Sequence, residues 1–157
     1  MKLIAKNIVK KLLKKTLKIS VPESCTGGMV SSAITSIGGS SKVFTFGAVA
    51  YSNQSKINVL RVSKNIISKH GAVSKEVCLA MVKNSAKIGK TNLSLSVTGI
   101  AGPTGGTRKK PVGLVYVGIK RGNKINIKKY LFKNKGRSYI QRTTTYKCLR
   151  SILEFLR

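Results

Sequence analysis

Apolar positions in this chain follow two spacings, and the change from one to the other falls where glycine, proline or a short polar cluster interrupts the pattern. Ile4, Ile8 and Leu12 share one face of a helical wheel within the basic stretch Met1 to Ser20, which predicts an amphipathic first helix lying on a core. From Lys18 to Pro22 the period drops to two, with Ile19 and Val21 facing inward as a strand. That strand runs into Glu23-Ser24-Cys25-Thr26-Gly27-Gly28, and the small residues from Met29 to Ile37 then predict a helix. Gly38-Gly39-Ser40-Ser41 ends it, and β-branched and aromatic residues from Val43 to Tyr51 predict a second strand. A helix is expected to begin near Asn53, capped by that side chain, and to carry Lys56, Ile57 and Leu60. Beyond a polar link, Ser74 predicts a further N-cap, with Glu76 in the first turn, Val77, Met81 and Ile88 on the apolar face, and Gly89 as the stop. Leu93, Leu95 and Val97 alternate as a third strand entering the glycine-dense loop Thr98 to Thr107. Val112 to Lys120 and Ile125 to Phe132 form a hairpin turning at Arg121-Gly122-Asn123, and a last helix covers Ser138 to Phe155.

Strands that alternate with helices and end in a hairpin predict the α/β class, as a three-layer α/β/α sandwich with a mixed sheet. A chain of 157 residues buries roughly two-thirds of its unfolded surface as one body, and no break in composition divides residues 1–157 into two domains. Ligands of such sheets bind beyond the carboxyl ends of the strands, where the loops at Ser24, Ser52 and Thr98 are expected to gather.

Composition changes this picture mainly through charge. Thirty-one Lys and Arg residues against 3 acids leave a formal charge of +28, which attracts anions of every kind, nucleic acid included, without base readout. The cations are spread along the whole chain with no interleaved aromatic run, and Lys, Ile and Asn are abundant together, as drift in an AT-rich genome produces. Charge alone therefore predicts nonspecific anion attraction only. No apolar run approaches the ~20 residues of a membrane span. The first stretch lacks both an apolar signal region and a cleavage site, so no membrane role is expected. Cys25, Cys78 and Cys148 are odd in number and far apart, which implies neither a disulfide framework nor a paired zinc motif and points to a reducing, cytoplasmic setting.

Absences narrow the chemistry further. There is no Asp, and the side-chain carboxylates are Glu23, Glu76 and Glu154. A two-carboxylate glycosidase and a Ser-His-Asp triad do not fit this inventory, nor does a usual catalytic zinc site built on one His. That residue, His70, precedes Gly71 at an expected helix end, where His suits the helix dipole. A hydroxyl nucleophile with a lysine base is compatible with what remains, provided the amine is held neutral by burial and nearby positive charge. Lys56 is the candidate base by placement. Ser24 is the candidate nucleophile, because the following glycines admit a substrate and the helix start presents backbone N–H groups to a developing oxyanion. On local pattern alone, a serine followed by glycines is more often a helix cap. Cys25 is a rival nucleophile with no identifiable base. The loop Thr98 to Thr107 is either a phosphate cradle or a structural turn, and it lacks the spacing of a Walker loop.

Five blocks then stand in order: Glu23-Ser-Cys-Thr-Gly-Gly28, Tyr51-Ser-Asn-x-x-Lys56, Gly71-Ala-Val-Ser74, Thr98-Gly-Ile-Ala-Gly-Pro103 and Lys110-Pro-Val-Gly113. Together they resemble the CinA C-terminal family over nearly the whole chain, in what looks like its stand-alone form without the pyrophosphatase-type domain. The resemblance implies a nicotinamide-nucleotide amidase that converts nicotinamide mononucleotide and water to nicotinate mononucleotide and ammonia, with no metal or organic cofactor. It implies Ser24 as nucleophile, Lys56 as base and Tyr51 as a polar neighbour completing the proton network. It also implies Thr98 and Gly99 as substrate-loop contacts, and a dimer or larger homo-oligomer. We assign the oxyanion site to amides near Thr26 and Gly27, and the phosphate of the nucleotide substrate to Arg137 and Arg142, since a guanidinium grips phosphate with two bonds. The chain departs from the family where many relatives carry Gly-Asp-Arg and a second arginine four residues on. Here Lys135-Gly136-Arg137 is followed by Gln141-Arg142, and a shift of one residue swings a side chain about 100° around a helix. A relative that binds nucleotides or nucleic acid without hydrolysis, and an amidase for another amide, are the alternative readings, because a fold and a dyad do not fix a substrate.

Overall fold

A computed structural model describes residues 1–157. Five strands form a mixed sheet: β1 (Ile19–Glu23), β2 (Phe44–Val49), β3 (Leu93–Gly99), β4 (Leu114–Arg121) and β5 (Lys124–Leu131). Their order is β2-β1-β3-β4-β5, with β1 parallel to both of its neighbours and the other pairs antiparallel. Six α-helices cover the sheet: α1 (Lys2–Lys14), α2 (Met29–Thr35), α3 (Asn53–Asn58), α4 (Lys64–His70), α5 (Lys75–Ile88) and α6 (Arg137–Phe155).

Period-two alternation divides the two faces of the sheet. Ile19, Val21, Leu93, Leu95, Val97, Val115, Val117 and Ile119 belong to the main core with Ile8 and Leu12 of α1, Val30 and Ile34 of α2, and Ile140, Leu149 and Ile152 of α6. Each large aliphatic side chain that is fully buried there contributes roughly 2 kcal/mol. The intervening residues meet α5 through small polar groups. The hydroxyls of Ser85 and Ser94 are 2.6 Å apart, and Ser96 Oγ donates to the Cys78 carbonyl at 2.8 Å. A side chain at Gly118 would strike Ser96 Oγ of β3 at 2.7 Å and press on Cys78 Sγ of α5 at 3.1 Å, so the close packing of sheet and helix here requires glycine. A second apolar cluster, with Ala50, Leu60, Val62, Ile67, Val77 and Met81, seats α3 and α4 beside α5. The expected three-layer α/β/α sandwich with a mixed sheet is the observed fold.

Several boundaries differ from the expectation. Ser52, not Asn53, caps α3: its Oγ accepts from the Ser55 N–H at 3.0 Å while Ser55 Oγ accepts from the Ser52 N–H at 3.0 Å, a reciprocal box that leaves Asn53 as the first helical residue. The polar link before Ser74 contains α4, which buries only Ile67 and is too short to show a helical period. The ladder of β2 stops at Val49, because the chain turns there to bring Ala50 and Tyr51 over Lys56. The hairpin is tighter than expected: β4 and β5 are joined by Gly122-Asn123 alone, and Gly122 takes φ 55°, a value suited to the first position of a two-residue loop.

Candidate active site

The strand order assembles the site. β2, β1 and β3 are neighbours that all run in the same direction, so their carboxyl ends deliver Ala50-Tyr51, Ser24-Cys25 and Thr98-Gly99 to one edge of the sheet. A cavity of about 240 Å³ opens there, lined by Ser24, Tyr51, Lys56, Thr98, Gly99 and Arg137 among others, with Cys25 and Ala72 in its wall.

The Ser24 turn is held from below. Glu23 continues the inward alternation of Ile19 and Val21, which puts a carboxylate inside the protein with no exposure. Its oxygens accept from Thr26 Oγ1 at 2.6 Å, Val30 N at 3.1 Å, Ser31 N at 2.8 Å and Ser31 Oγ at 2.6 Å. A buried carboxylate without such partners would be costly, and here it also receives the free N–H groups at the start of α2. The turn closes through Gly27 N–H to the Ser24 carbonyl at 3.0 Å. Gly27 and Gly28 both take positive φ, 62° and 96°, a conformation that other residues enter only with strain. From the far side, Gln141 Nε2 of α6 donates to the Cys25 carbonyl at 2.9 Å.

Lys56 comes from the short helix α3 and is only 1% exposed. Its Nζ lies 3.1 Å from Ser24 Oγ, 2.7 Å from the Ala50 carbonyl oxygen and 3.4 Å from that of Tyr51. No carboxylate pairs with it, since the ion pairs of the protein are His70–Glu76 and Lys128–Glu154. Burial holds the Lys56 amine below the ordinary lysine range. Cys25, 5% exposed, is the opposite case: burial pushes its thiol up to about 12, which leaves it protonated at neutral pH.

The remaining expected residues divide. The Tyr51 side chain is 55% exposed, and its hydroxyl accepts from Arg137 Nη2 rather than facing the serine and lysine; only its carbonyl reaches Lys56. Arg137 also donates through Nη1 to the Gly102 carbonyl at 2.9 Å, and its guanidinium lies over the Tyr51 ring, 6.0 Å from the centroid. Thr98 lines the cavity while its Oγ1 donates to the Ala72 carbonyl at 2.9 Å, which ties the end of β3 to the segment entering α5. Gly99 is a place of close approach, where a side chain would strike the Leu114 carbonyl oxygen at 2.8 Å.

Two further expectations require correction. Thr26 and Gly27 do not line the cavity, because the Thr26 hydroxyl is turned to Glu23 and the Gly27 N–H closes the turn. Arg142 is exposed and lies outside the cavity, because α6 sends residue 137 and residue 141 toward the Ser24 loop and residue 142 away from it. His70 closes α4 directly before Gly71, as expected, with Nδ1 3.7 Å from Glu76. Sequence reasoning missed the holding roles of Glu23 and Gln141. The first was signalled by the alternation of β1, and the second by the four-residue step from Arg137 on one helix face.

Comparison with known proteins bears on the family and the fold. A family model described as the CinA C-terminal domain matches residues 1–156. A CinA-like protein of Kosmotoga olearia is 54% identical over 123 residues, covering 78% of this chain and 30% of its own length. Another from Prochlorococcus marinus subsp. pastoris is 45% identical over 146 residues, covering 92% and 34%. The chain thus spans about a third of the length of the curated relatives it matches. Among solved structures, the competence/damage inducible protein CihA of Agrobacterium tumefaciens superposes with a TM-score of 0.96 at 34% identity, over 99% of this chain and 95% of that one. A CinA superfamily protein of Enterobacter cloacae gives 0.93 at 25% identity, over 98% and 90%. By motif order, by fold and by the match along its whole length, this chain belongs to the CinA C-terminal domain family.

Proposed function

We propose that this chain is an amidohydrolase that cleaves the carboxamide of nicotinamide mononucleotide, with Ser24 as nucleophile and Lys56 as base. The observation that carries the reading is the set of three oxygens around Lys56 Nζ. A neutral amine has two N–H groups and one lone pair. The ammonium form donates to all three oxygens; once the amine is neutral, donation to the carbonyls of Ala50 and Tyr51 uses both N–H groups and leaves the lone pair for the Ser24 O–H, 3.1 Å away. Burial favours that neutral form.

In the first half-reaction Ser24 Oγ attacks the carboxamide carbon as its proton passes to Lys56 Nζ. The C–N bond then breaks, Lys56 returns the proton to the leaving nitrogen, and ammonia departs from an ester on Ser24. In the second, Lys56 takes a proton from water, the hydroxide adds to the ester carbon, and the proton restores the Ser24 hydroxyl as nicotinate mononucleotide leaves. The Gly27 amide is engaged in the turn, whereas the Cys25 N–H belongs to a cavity-lining residue and has no carbonyl partner; it takes over the oxyanion role in this reading. Arg137 has five N–H donors and commits two to Gly102 and Tyr51, which leaves three for the substrate phosphate at the rim.

The test is ammonia release from nicotinamide mononucleotide by the parent protein and by Ser24→Ala, each with its fold checked by circular dichroism. Turnover confined to the parent supports the assignment. An undiminished rate in Ser24→Ala removes the nucleophile, and a folded but silent parent removes the substrate.

A further inference from the structure

Charge is not uniform over the surface, and its densest concave region lies away from Ser24. Two grooves of about 710 Å³ each occupy the opposite end of the sheet. One runs between the β4–β5 turn and the end of α6, lined by Lys120, Arg121, Lys124 and Lys128. The other runs between α1 and α6, lined by Lys10, Lys11, Lys14, Lys15 and Arg150. Both include Glu154 and Arg157, so they form one continuous track. Its only acid, Glu154, is engaged by Lys128 Nζ at 2.8 Å, and the other cations have no carboxylate partner.

We propose that this track is a docking surface for the phosphate backbone of double-stranded DNA. Three features favour that ligand. All the track cations except Lys15 and Arg157 sit on helices or the hairpin, and Arg121 is pinned to the Phe155 carbonyl at 3.1 Å, so most of the charges are spaced by the fold. The apolar face of α1, with Ala5, Ile8, Val9 and Leu12, is buried in the protein, so the lysines of α1 are not backed by a face free to enter a bilayer. The one aromatic ring lining the two grooves, Phe155, lies under Lys124 Nζ at 5.8 Å, which leaves no open platform for the stacked bases of a single strand. A long open row of point charges without base-reading or stacking groups suits regularly spaced phosphates. Thr91 and Asn92, which precede β3, and Leu17, which precedes β1, border the track, whereas the Ser24 cavity lies beyond the carboxyl ends of those strands. DNA and a small substrate therefore occupy opposite ends of the sheet without competing.

Anisotropy of a short fluorescein-labelled duplex, followed between ~50 and ~200 mM salt, tests this. The informative variant reverses four track charges, Lys10→Glu, Lys14→Glu, Lys124→Glu and Arg150→Glu. Its control carries the same net charge through Lys64→Glu, Lys75→Glu, Lys83→Glu and Lys87→Glu on α4 and α5. The track variant is expected to lose at least about tenfold more affinity than the control, and its log–log salt slope to shrink by about 3 to 4, since each phosphate contact contributes about 0.9. Equal losses in both variants overturn the proposal, because the charge then acts globally. So does the absence of duplex binding by the parent, or stronger displacement of the duplex by polyglutamate or anionic phospholipid vesicles than by unlabelled duplex. Glutamine at the same four positions replaces the reversal if thermal unfolding reveals a fold defect.

Discussion

Lys56→Met removes the buried amine while keeping a chain of similar length, and it gives the most direct access to the protonation state on which the proposed chemistry depends. The Lys56 pKa is lowered in the folded protein, chiefly by burial. Between that folded value and the ordinary lysine value near 10.4, the unfolded chain holds a proton that the folded chain lacks, so stability rises with pH across that window. The contribution is fully present above the unfolded pKa and is lost as pH falls through the folded one. A single group contributes at most about 1.4 kcal/mol per pH unit. Relief of repulsion among the other lysines also raises stability with pH, but it is shared by both proteins and cancels in their difference. Lys56→Met also strips a donor from the Ala50 carbonyl, an offset of about 1–3 kcal/mol that does not vary with pH. Urea unfolding of both proteins from about pH 7 to pH 10 therefore gives a gap that shifts in favour of the parent as pH rises. The pH at which the gap begins to move is the folded pKa, and it coincides with the acidic limb of kcat/KM for the parent, because the same proton must be absent for Lys56 to act as base. A gap that stays constant across the range refutes the argument that Lys56 is held neutral.

Cys25→Ala is expected to keep amide hydrolysis within about threefold, and the native thiol to resist iodoacetamide at neutral pH, because a thiol near 12 supplies almost no thiolate; loss of turnover comparable to Ser24→Ala contradicts this. Glu23→Gln replaces one of two acceptor oxygens by a donor facing either Ser31 or the pair Thr26 and Val30, and urea unfolding is expected to register a loss of about 2–3 kcal/mol with a fall in kcat. Arg137→Gln is expected to raise KM more than it lowers kcat, as removal of uniform binding does, while Arg142→Gln leaves both near parental values in the same steady-state assay. Equal effects of the two arginine changes contradict the placement of the phosphate beside Arg137.

Several parts of the fold were legible because short-range patterns dictate them. The alternation in β1 and β3, the stripe on α1, the Ser74 cap and the glycine-rich turn after Glu23 all follow from local sterics and from burial of one face. Elimination reached only the residue types, a hydroxyl with a lysine base; Ser24 and Lys56 were candidates by placement, and the resemblance to the CinA C-terminal family singled them out. Asn53 was misplaced as a cap because Ser52 and Asn53 are both good cap residues, and only the reciprocal bonds with Ser55 choose between them. Helix α4 was hidden because its single buried residue, Ile67, carries no period.

The sequence by itself determined which elements form, which faces they bury and which side chains are chemically able to act. Only the tertiary structure decided which of these meet. The 3.1 Å contact of Lys56 with Ser24 spans 32 positions, Gln141 reaches Cys25 across 116, and Arg137 reaches Tyr51 across 86. Such contacts depend on strand order and helix docking, not on local spacing. The same holds for the difference between Arg137 and Arg142: the sequence offers two equivalent guanidiniums, and the angle at which α6 packs on the sheet turns one to the cavity and the other to solvent.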